Sequence, residues 1–331
     1  MAQVVEINQV GKREDLRDFI SVVDMKDKPL LGLLPKLPDQ KNMTVGWQAD
    51  AYALPSAPGV ADGVDVDSFE NAAANRGLVQ NYGQKFRRTA MVGDLAENVS
   101  NVAGASSGEL ARSIDKKLEE ISRDMEFQFG SDVDAQLEAS SAAPYRTRGL
   151  GAWIQVAAQT TLPVPAAFRT PTASIVTGIN SNLSEAAFRT QLQSVYTQYG
   201  KRTNLTLVCG PGIKRSVSDF TASGAATTST IRAYNANLSD NAVTTNINFY
   251  EGDFNTVDIV PSLLVGGNTD PTNVVVVNRG YILPMPLLGM TYNRPPRVQK
   301  LPDLGGGPRA LVDAICCLVV KNPLALGKIT S

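Results

Sequence analysis

The stretch from Ser106 to Leu137, SSGELARSIDKKLEEISRDMEFQFGSDVDAQL, decides the reading of this chain. Leu110, Ile114, Leu118, Ile121, Met125, Phe129, Val133 and Leu137 recur at spacings of three and four, which places them along one face of an amphipathic helix. Ser106 and Glu109 stand three apart at its start, as a capping box requires. Such a helix would run about 45–50 Å at the α-helical rise, longer than most globular domains need. Arg112, Lys116, Glu119, Glu120 and Arg123 fill the opposite flank. Within it Glu119 is spaced to pair with Arg123, while Asp124 and Glu126, two apart, face different ways. A helix dry on one flank and charged on the other suits a spine bracing a flat subunit, so it points to assembly before catalysis.

On the N-terminal side of the helix, residues 43–93 read as a large β-hairpin. Met43, Val45 and Trp47 alternate with polar or small residues. Leu78 to Val92 returns as a strand bearing Tyr82, Phe86, Lys85, Arg87 and Arg88. The tip between them, Leu54 to Asn75, is rich in Pro, Ala, Gly and Asp. From Asp39 to Gln80 six carboxylates (Asp39, Asp50, Asp62, Asp65, Asp67 and Glu70) face only Lys41 and Arg76. A loop of some twenty residues without periodicity is unusual inside a compact domain and natural when it lies on something else. Residues 1–42 read as an arm. Asp15 to Met25 is weakly amphipathic, and Pro29, Gly32, Pro35 and Pro38 break the remainder into short extended pieces. Few long-range core contacts are expected there without a partner.

Beyond the helix, RGLGAWI (Arg148 to Ile154) is a turn into an apolar anchor, and Ala158 to Ser174 a Pro/Thr/Ala linker. Ser184 caps a second helix with Phe188, Leu192, Val195 and Tyr199 on one face and Gly200 as its stop. Leu205 to Cys209 is a strand, and Gly210-Pro211 opens a third helix through Lys214 to Phe220. Thr221 to Asn246 reads as an exposed loop. Strands are expected at Ile247–Tyr250, Thr256–Val260, Val274–Val277, Met290–Leu301 and Leu311–Val320.

Composition excludes most chemistry. The 331 residues contain no histidine, which removes Ser-His and Cys-His nucleophilic machinery, histidine-bound zinc and the commonest general base. Cys209, Cys316 and Cys317 sit in apolar runs and read as small buried hydrophobes. The vicinal pair would point to opposite faces of a strand. Gly305-Gly306-Gly307 precedes a strand-like run rather than a helix with a lysine, so it is a turn and not a phosphate cradle. Asp62, Asp65 and Asp67 fail the calcium-loop spacing, because Asp67 occupies the sixth position where glycine belongs. The formal net charge of −1 advertises no nucleic-acid grip. Neither a signal-like opening nor an apolar run of membrane-spanning length is present, so a soluble chain made in a cytoplasm is expected.

Taken in order, arm, large hairpin, spine helix, RGLGAWI turn, mixed domain and terminal strands resemble the major capsid (head) protein of tailed bacteriophages, with the Hong Kong ninety-seven fold shared with encapsulins. The likeness runs through Trp47 to Asp50, Phe86-Arg87-Arg88-Thr89, Arg123-Asp124-Met125-Glu126 and Gly151 to Ile154. It resumes at Leu183-Ser184-Glu185, Gly210-Pro211 with Lys214, Asn278-Arg279 and Lys321-Asn322-Pro323. Order and spacing carry it across nearly the whole chain. The Pro-rich stretches at Ala158 to Pro171 and Pro284 to Pro286 depart from it and blur the domain handover.

The resemblance implies an α+β fold with an N-terminal arm at 1–42 and an extended E-loop at 43–93. It implies a P-domain with the spine helix at 94–171, a mixed α/β A-domain at 172–283, and return strands of the P-domain with the C-terminus at 284–331. It implies a structural protein of the virion capsid, without enzymatic activity or cofactor. Such a protein is assembled in the host bacterial cytoplasm into hexamers and pentamers that enclose double-stranded DNA in an icosahedral head. Implied partners are further copies of itself, portal and scaffolding or decoration proteins, and packaged DNA in non-specific contact, with no membrane. The alternative within the same fold is an encapsulin-like shell of a cellular compartment.

Charge suggests how copies meet. Residues 279–331 carry Arg279, Arg294, Arg297, Lys300, Arg309, Lys321 and Lys328 against Asp303 and Asp313. The acidic hairpin of one subunit is therefore expected over the basic late strands of its neighbour, a complementarity that sets register and rate more than raw affinity. The candidate inter-subunit residues are Trp47, Asp62, Asp65, Asp67, Arg87, Arg88, Arg294, Arg297 and Lys300.

Overall fold

The computed structural model describes residues 27–55, 59–71, 73–98, 108–178, 183–221, 247–265 and 279–330. In chain order the first elements are α1 (Pro29–Leu33), β1 (Thr44–Ala49), β2 (Gly77–Tyr82), β3 (Gln84–Met91), α2 (Asp94–Asn98) and α3 (Glu109–Phe129). They are followed by α4 (Leu150–Trp153), β4 (Ile175–Val176), α5 (Glu185–Tyr199), β5 (Asn204–Cys209) and α6 (Pro211–Ser218). The chain closes with β6 (Phe249–Glu251), β7 (Thr256–Pro261), β8 (Arg279–Leu283), β9 (Leu288–Leu301), β10 (Arg309–Val320) and β11 (Gly327–Thr330). Among the described residues the strands form a hairpin β1-β2, a three-stranded sheet β3-β10-β9 and a six-stranded sheet β4-β11-β8-β5-β7-β6.

The amphipathic helix α3 is shorter than its apolar period suggests. It spans 21 residues, about 32 Å, and stops at Gly130. Val133 and Leu137 keep the spacing but belong to a doubling-back segment. There Gln136 and Arg146 exchange both backbone bonds at 3.1 Å, and the Gly149 N–H donates to the Val133 carbonyl at 3.0 Å. Leu137 consequently faces solvent. The start also differs. The N-cap is Gly108 at φ +91, and Ser106 lies outside the described residues. The orphan Leu110 N–H is satisfied by the Glu97 carboxylate of α2 at 3.1 Å. Glu119 pairs with Lys28 of the arm at 2.6 Å.

Ile121, Met125 and Phe129 of α3 are buried against one face of the three-stranded sheet, with Phe86, Val312, Ala314, Cys316 and Leu318 in the same core. β10 is buried along most of its length, which fits its near-continuous Val/Ile/Leu/Cys run. Cys316 lies toward α3, 3.5 Å from the Met125 sulfur, and Cys317 faces the other way toward Thr147. The vicinal cysteines thus part as strand geometry dictates.

The strand expected over Leu78 to Val92 divides at Gly83, β2 pairing with β1 and β3 with β10. A side chain at position 83 would strike Gln40, so the glycine admits the arm. The arm is docked more firmly than expected: Leu30 and Leu34 are buried, and residues 35–40 run beside β9. Met290 and Leu37 bond there at 2.8 Å, and Gln40 donates to the Tyr292 carbonyl at 2.8 Å. Residues 1–26, including the expected Asp15–Met25 segment, lie outside the described residues, as do Val274–Val277 and nearly all of Thr221–Asn246.

The six-stranded sheet carries a second core. Phe188, Leu192 and Val195 of α5 and Ile213 and Val217 of α6 pack on Leu205, Leu207, Val257 and Ile282. α5 begins at Ser184, whose hydroxyl accepts from the Ala187 N–H at 3.3 Å, and ends at Gly200 in the left-handed conformation. β8 and the C-terminal β11 join this sheet, with β11 between β4 and β8, so residues 327–330 complete it rather than the three-stranded one.

Gly149 ties the sharp turn after α3 to α4: a Cβ there would overlap the Ser131 carbonyl oxygen and stand 2.8 Å from that of Gln128. Gly149→Ala is expected to destabilise the unassembled chain by about 1–3 kcal/mol, the range for overpacking. Urea denaturation of the two proteins measures it, and an unchanged midpoint would remove the turn from this role.

Candidate functional site

The hairpin is anchored at its root by a tilted pair of indole rings and a buried cation. Trp47 of β1 meets Trp153 of α4 with ring centroids 5.8 Å apart, and the Arg148 guanidinium lies 4.6 Å from the Trp153 ring. Arg148 is fully buried. Its Nε donates to Asp134 at 2.7 Å, and its Nη2 donates to the carbonyls of Thr161 and Leu162. Burial pulls its pKa down, opposed by the hydrogen bond and charge of Asp134. Asn81 of β2 accepts from the Arg148 N–H at 2.9 Å and donates to the Leu318 carbonyl at 2.7 Å, tying the root to β10. Trp47 is therefore a core anchor, half-buried at the base of the hairpin.

The tip is the opposite. Arg76 and Asp50 close its neck at 3.2 Å. Beyond them Tyr52 is 102% exposed, Leu54 90%, Val66 71% and Phe69 89%. Asp62, Asp65, Asp67 and Glu70 are exposed on the same segment. Among the described residues, 59–70 join no helix or strand, and their one regular feature is a turn at Asp62-Gly63. Large apolar side chains exposed together on one segment are the mark of an interaction surface.

The three-stranded sheet places the basic candidates on two faces. Residues directly opposite in antiparallel strands share a face. Asp313 of β10 stands opposite Arg87 of β3 on one side and Arg297 of β9 on the other, and Lys85 stands opposite Ile315 with Arg294 beyond it. Lys85, Arg87, Arg294 and Arg297 thus share the outer face, away from α3. Arg294 and Arg297 each donate to the buried Asp313 carboxylate at 2.8 Å. Burial pushes the Asp313 pKa up, but the bonds and charges of the two arginines outweigh it and hold the carboxyl below its ordinary value. Arg88 instead turns toward α3, donating to both oxygens of Asp124 at 2.7 and 2.6 Å. Its pKa is raised, chiefly by that hydrogen bond. Lys300 lies opposite Ala310, on the helix side of the sheet. Arg87, Arg294 and Arg297 are brought together, whereas Arg88 and Lys300 stand apart. The late-strand charge counted from sequence is partly spent inside the chain, since Arg279 and Lys328 both bind Asp132 at 2.7 Å.

Sequence reasoning missed Glu126. Its carboxylate is buried and accepts from the N–H groups of Leu30 at 3.0 Å and Leu31 at 2.6 Å, and from the Ser262 hydroxyl at 3.3 Å. These are free amides of the first turn of α1, where Pro29 contributes none, so α3 caps the arm helix. Burial raises the Glu126 pKa, opposed by those hydrogen bonds. The three cysteines are buried, and burial pushes the Cys209 and Cys317 thiols up to about 12. Among the described residues no group of three or more His, Cys, Asp or Glu side chains could hold a metal ion. No helix there is long and apolar enough to cross a membrane.

A buried frame with an uncovered apolar, acidic tip and a basic sheet face is an arrangement for joining copies. Residues 3–331 match the family model of the SU10 major capsid protein. The chain belongs to that family. It is thus a major capsid protein of tailed phages, and its place is the virion. No curated protein matches it. Among solved structures it is similar to the cyanophage A-1(L) capsid subunit, at 12% identity, TM-score 0.66 and 96% coverage of each chain. It is also similar to the subunit of the bacteriophage PhiM1 mature capsid, at 12% identity and TM-score 0.61, covering 97% of this chain and 92% of that one. The capsid of cyanophage P-SCSP1u matches at 8% identity and TM-score 0.58, over 99% and 97%. At these identities the likeness is one of fold, and it is the Hong Kong ninety-seven type expected from the order of elements.

Two outcomes follow for the capsid chain. Glu126→Ala is expected to destabilise the unassembled chain by about 2–3 kcal/mol, because it orphans buried donors, whereas Glu126→Gln keeps an acceptor and costs less. Equal denaturation midpoints for both variants would refute the cap. For Asp313, a depressed folded pKa means that its contribution is complete above the unfolded value of about 3.9 and fades as pH falls through the folded one. The stability gap between the native chain and Asp313→Asn should therefore hold from pH 7 to about 5 and shrink below about 4. A gap that widens on acidification would contradict the clamp.

Proposed function

We propose that this chain forms the phage head by self-association into hexamers and pentamers closing an icosahedral shell around double-stranded DNA. The exposed hairpin tip carries this reading: Tyr52, Leu54, Val66 and Phe69 are laid bare on a segment with no core of its own. Segments of this kind are stabilised by binding, since a contact made only in the assembly favours the assembled state by mass action. The arm, E-loop, P-domain and A-domain named from sequence supply the division of labour. The spine helix and three-stranded sheet brace the wall, and the six-stranded sheet packs beside them. Building a shell in this way requires neither catalysis nor a cofactor. Portal and scaffolding or decoration proteins are the further partners, and packaged DNA meets the wall without sequence readout, in keeping with a net charge of −1.

The acidic tip of one subunit is assigned to the basic outer sheet face of a neighbour, where Lys85, Arg87, Arg294 and Arg297 gather. Electron microscopy of the purified protein tests the reading, with closed particles of phage-head size as the expected result. A monodisperse small species at all concentrations would overturn it. Reversing Asp62, Asp65 and Asp67 to lysine should impair particle formation at low salt, with the defect easing as salt screens the repulsion. Normal particles from that variant would remove the charge contact.

A further inference from the structure

β3 offers a strand-addition site. It pairs with β10 on one edge, and among the described residues no strand occupies its other edge. Apart from that ladder, the backbone of Lys85–Met91 makes no bond to another part of the described chain. Beside this edge an open groove of about 350 Å³ runs between β3 and α3, lined among others by Lys85, Phe86, Arg87, Arg88, Phe127 and Gln128. The strand alternates across it. Lys85 and Arg87 point to the outer face, and Phe86 and Arg88 toward α3. No ion pair engages Lys85 or Arg87 among the described residues, whereas Arg88 is matched by Asp124, the carboxylate in the groove.

The same chain holds a segment of matching period. Val64-Asp65-Val66-Asp67 alternates apolar and acidic, followed by Ser68, Phe69 and Glu70. It is exposed throughout. Laid along β3 as a strand, it would set Asp65 and Asp67 beside Lys85 and Arg87, and turn Val64 and Val66 into the groove against Phe127. Two-residue periodicity makes this match all or none: a shift by one residue would put the carboxylates against Phe127 and the valines in water. In the single chain the described residues of the tip are exposed throughout, so the edge they meet belongs to another copy.

We propose that residues 64–70 of one copy add as a strand to the free edge of β3 in a second copy, forming a four-stranded sheet across the subunit boundary. Main-chain hydrogen bonds would supply affinity and the alternate side chains register, as in other strand-addition contacts. The inference rests on the self-assembly reading and sharpens it from a charged face to one edge.

The test uses the full chain with paired cysteines. Cross-strand neighbours have Cβ atoms about 4.5–5.5 Å apart, close enough to bridge with small adjustment. Asp65→Cys with Lys85→Cys should trap parallel addition, and Asp67→Cys with Lys85→Cys antiparallel addition. The native thiols are buried, so single variants should give no ladder. One of the two double variants is expected to yield disulfide-linked oligomers on non-reducing gels of assembled particles. Particles without a ladder from either would overturn the strand addition and leave self-assembly standing. Absence of particles from the native chain would instead overturn self-assembly. Should the cysteine variants fail to assemble, a charge exchange decides. Lys85→Glu with Arg87→Glu should cut particle yield about tenfold or more, because like charges face each other. Adding Asp65→Lys and Asp67→Lys to the same chain should restore it, and no restoration counts against the contact.

Discussion

The packing of α3 on one face of the β3-β10-β9 sheet is the contact on which the rest of the structure leans. One helix is wide enough to dry one face of three strands and no more. Its apolar stripe, Ile121, Met125 and Phe129, therefore meets Phe86, Val312, Ala314 and Cys316, and the opposite face must find other cover. At one end that cover is Thr147 and the arm near Pro38, which accepts from the Thr291 hydroxyl. At the other end it is arginine. Arg294 and Arg297 lie across β10 and close over Asp313, so the buried carboxylate costs little desolvation that their hydrogen bonds do not offset. A sheet finished in this way is stable as a wall segment, yet presents a cationic surface and an edge that no strand of the described residues pairs.

The same helix organises the chain before it. Glu126 reaches off α3 to hold the amides of α1, Lys28 meets Glu119, and residues 35–40 then follow β9. A five-residue helix has little stability alone, since nucleation is unfavourable and short helices are marginal in water. Here its first turn is satisfied from outside and Leu30 enters the common core. The arm is thus tied to the spine at residues 28–31 and to β9 at 35–40, and the hairpin leaves from a packed root of Trp47, Trp153 and Arg148. Rigidity at the root and bare apolar groups at the tip belong together, because a presented segment loses less entropy on docking when its base is already ordered.

What could be read from sequence was what local chemistry decides. Ser184 and Gly200 bound α5 because a hydroxyl cap and a left-handed stop act within a few residues. The Val/Ile/Cys run of β10 and the outward and inward parting of Cys316 and Cys317 followed from strand period alone. The failures lie where distant contacts decide. Val133 and Leu137 continue the helical spacing, yet Gly149 packs so tightly on the turn at Ser131 that the chain doubles back. Gly83 interrupts no visible pattern, but it splits one expected strand between two sheets. β8 and β11 are short and take their strand character from neighbours in the six-stranded sheet. Nothing local in the sequence marks Arg148 and Glu126 as buried, and only their partners show why they are. In the candidate surface, the acidic tip and Arg87, Arg294 and Arg297 were legible as charge patterns. The pairing of both late arginines with Asp313 was not, since it depends on strand register.

That register carries the last step. Because β3, β10 and β9 align Arg87, Asp313 and Arg297 in one row, the central carboxylate is shared by the late arginines and the β3 residues keep their charge outward. Among the described residues the free positive field therefore sits on the strand whose edge is also free. A tip carrying alternate carboxylates and valines is complementary to that strand in both charge and period, while the opposite edge strand, β9, carries the adjacent prolines Pro295 and Pro296, residues that break a continuous ladder. The two edges of one sheet are thus unequal by sequence. The chemistry favours growth at β3, in the one direction that joins like subunits without opening the sheet to indiscriminate pairing.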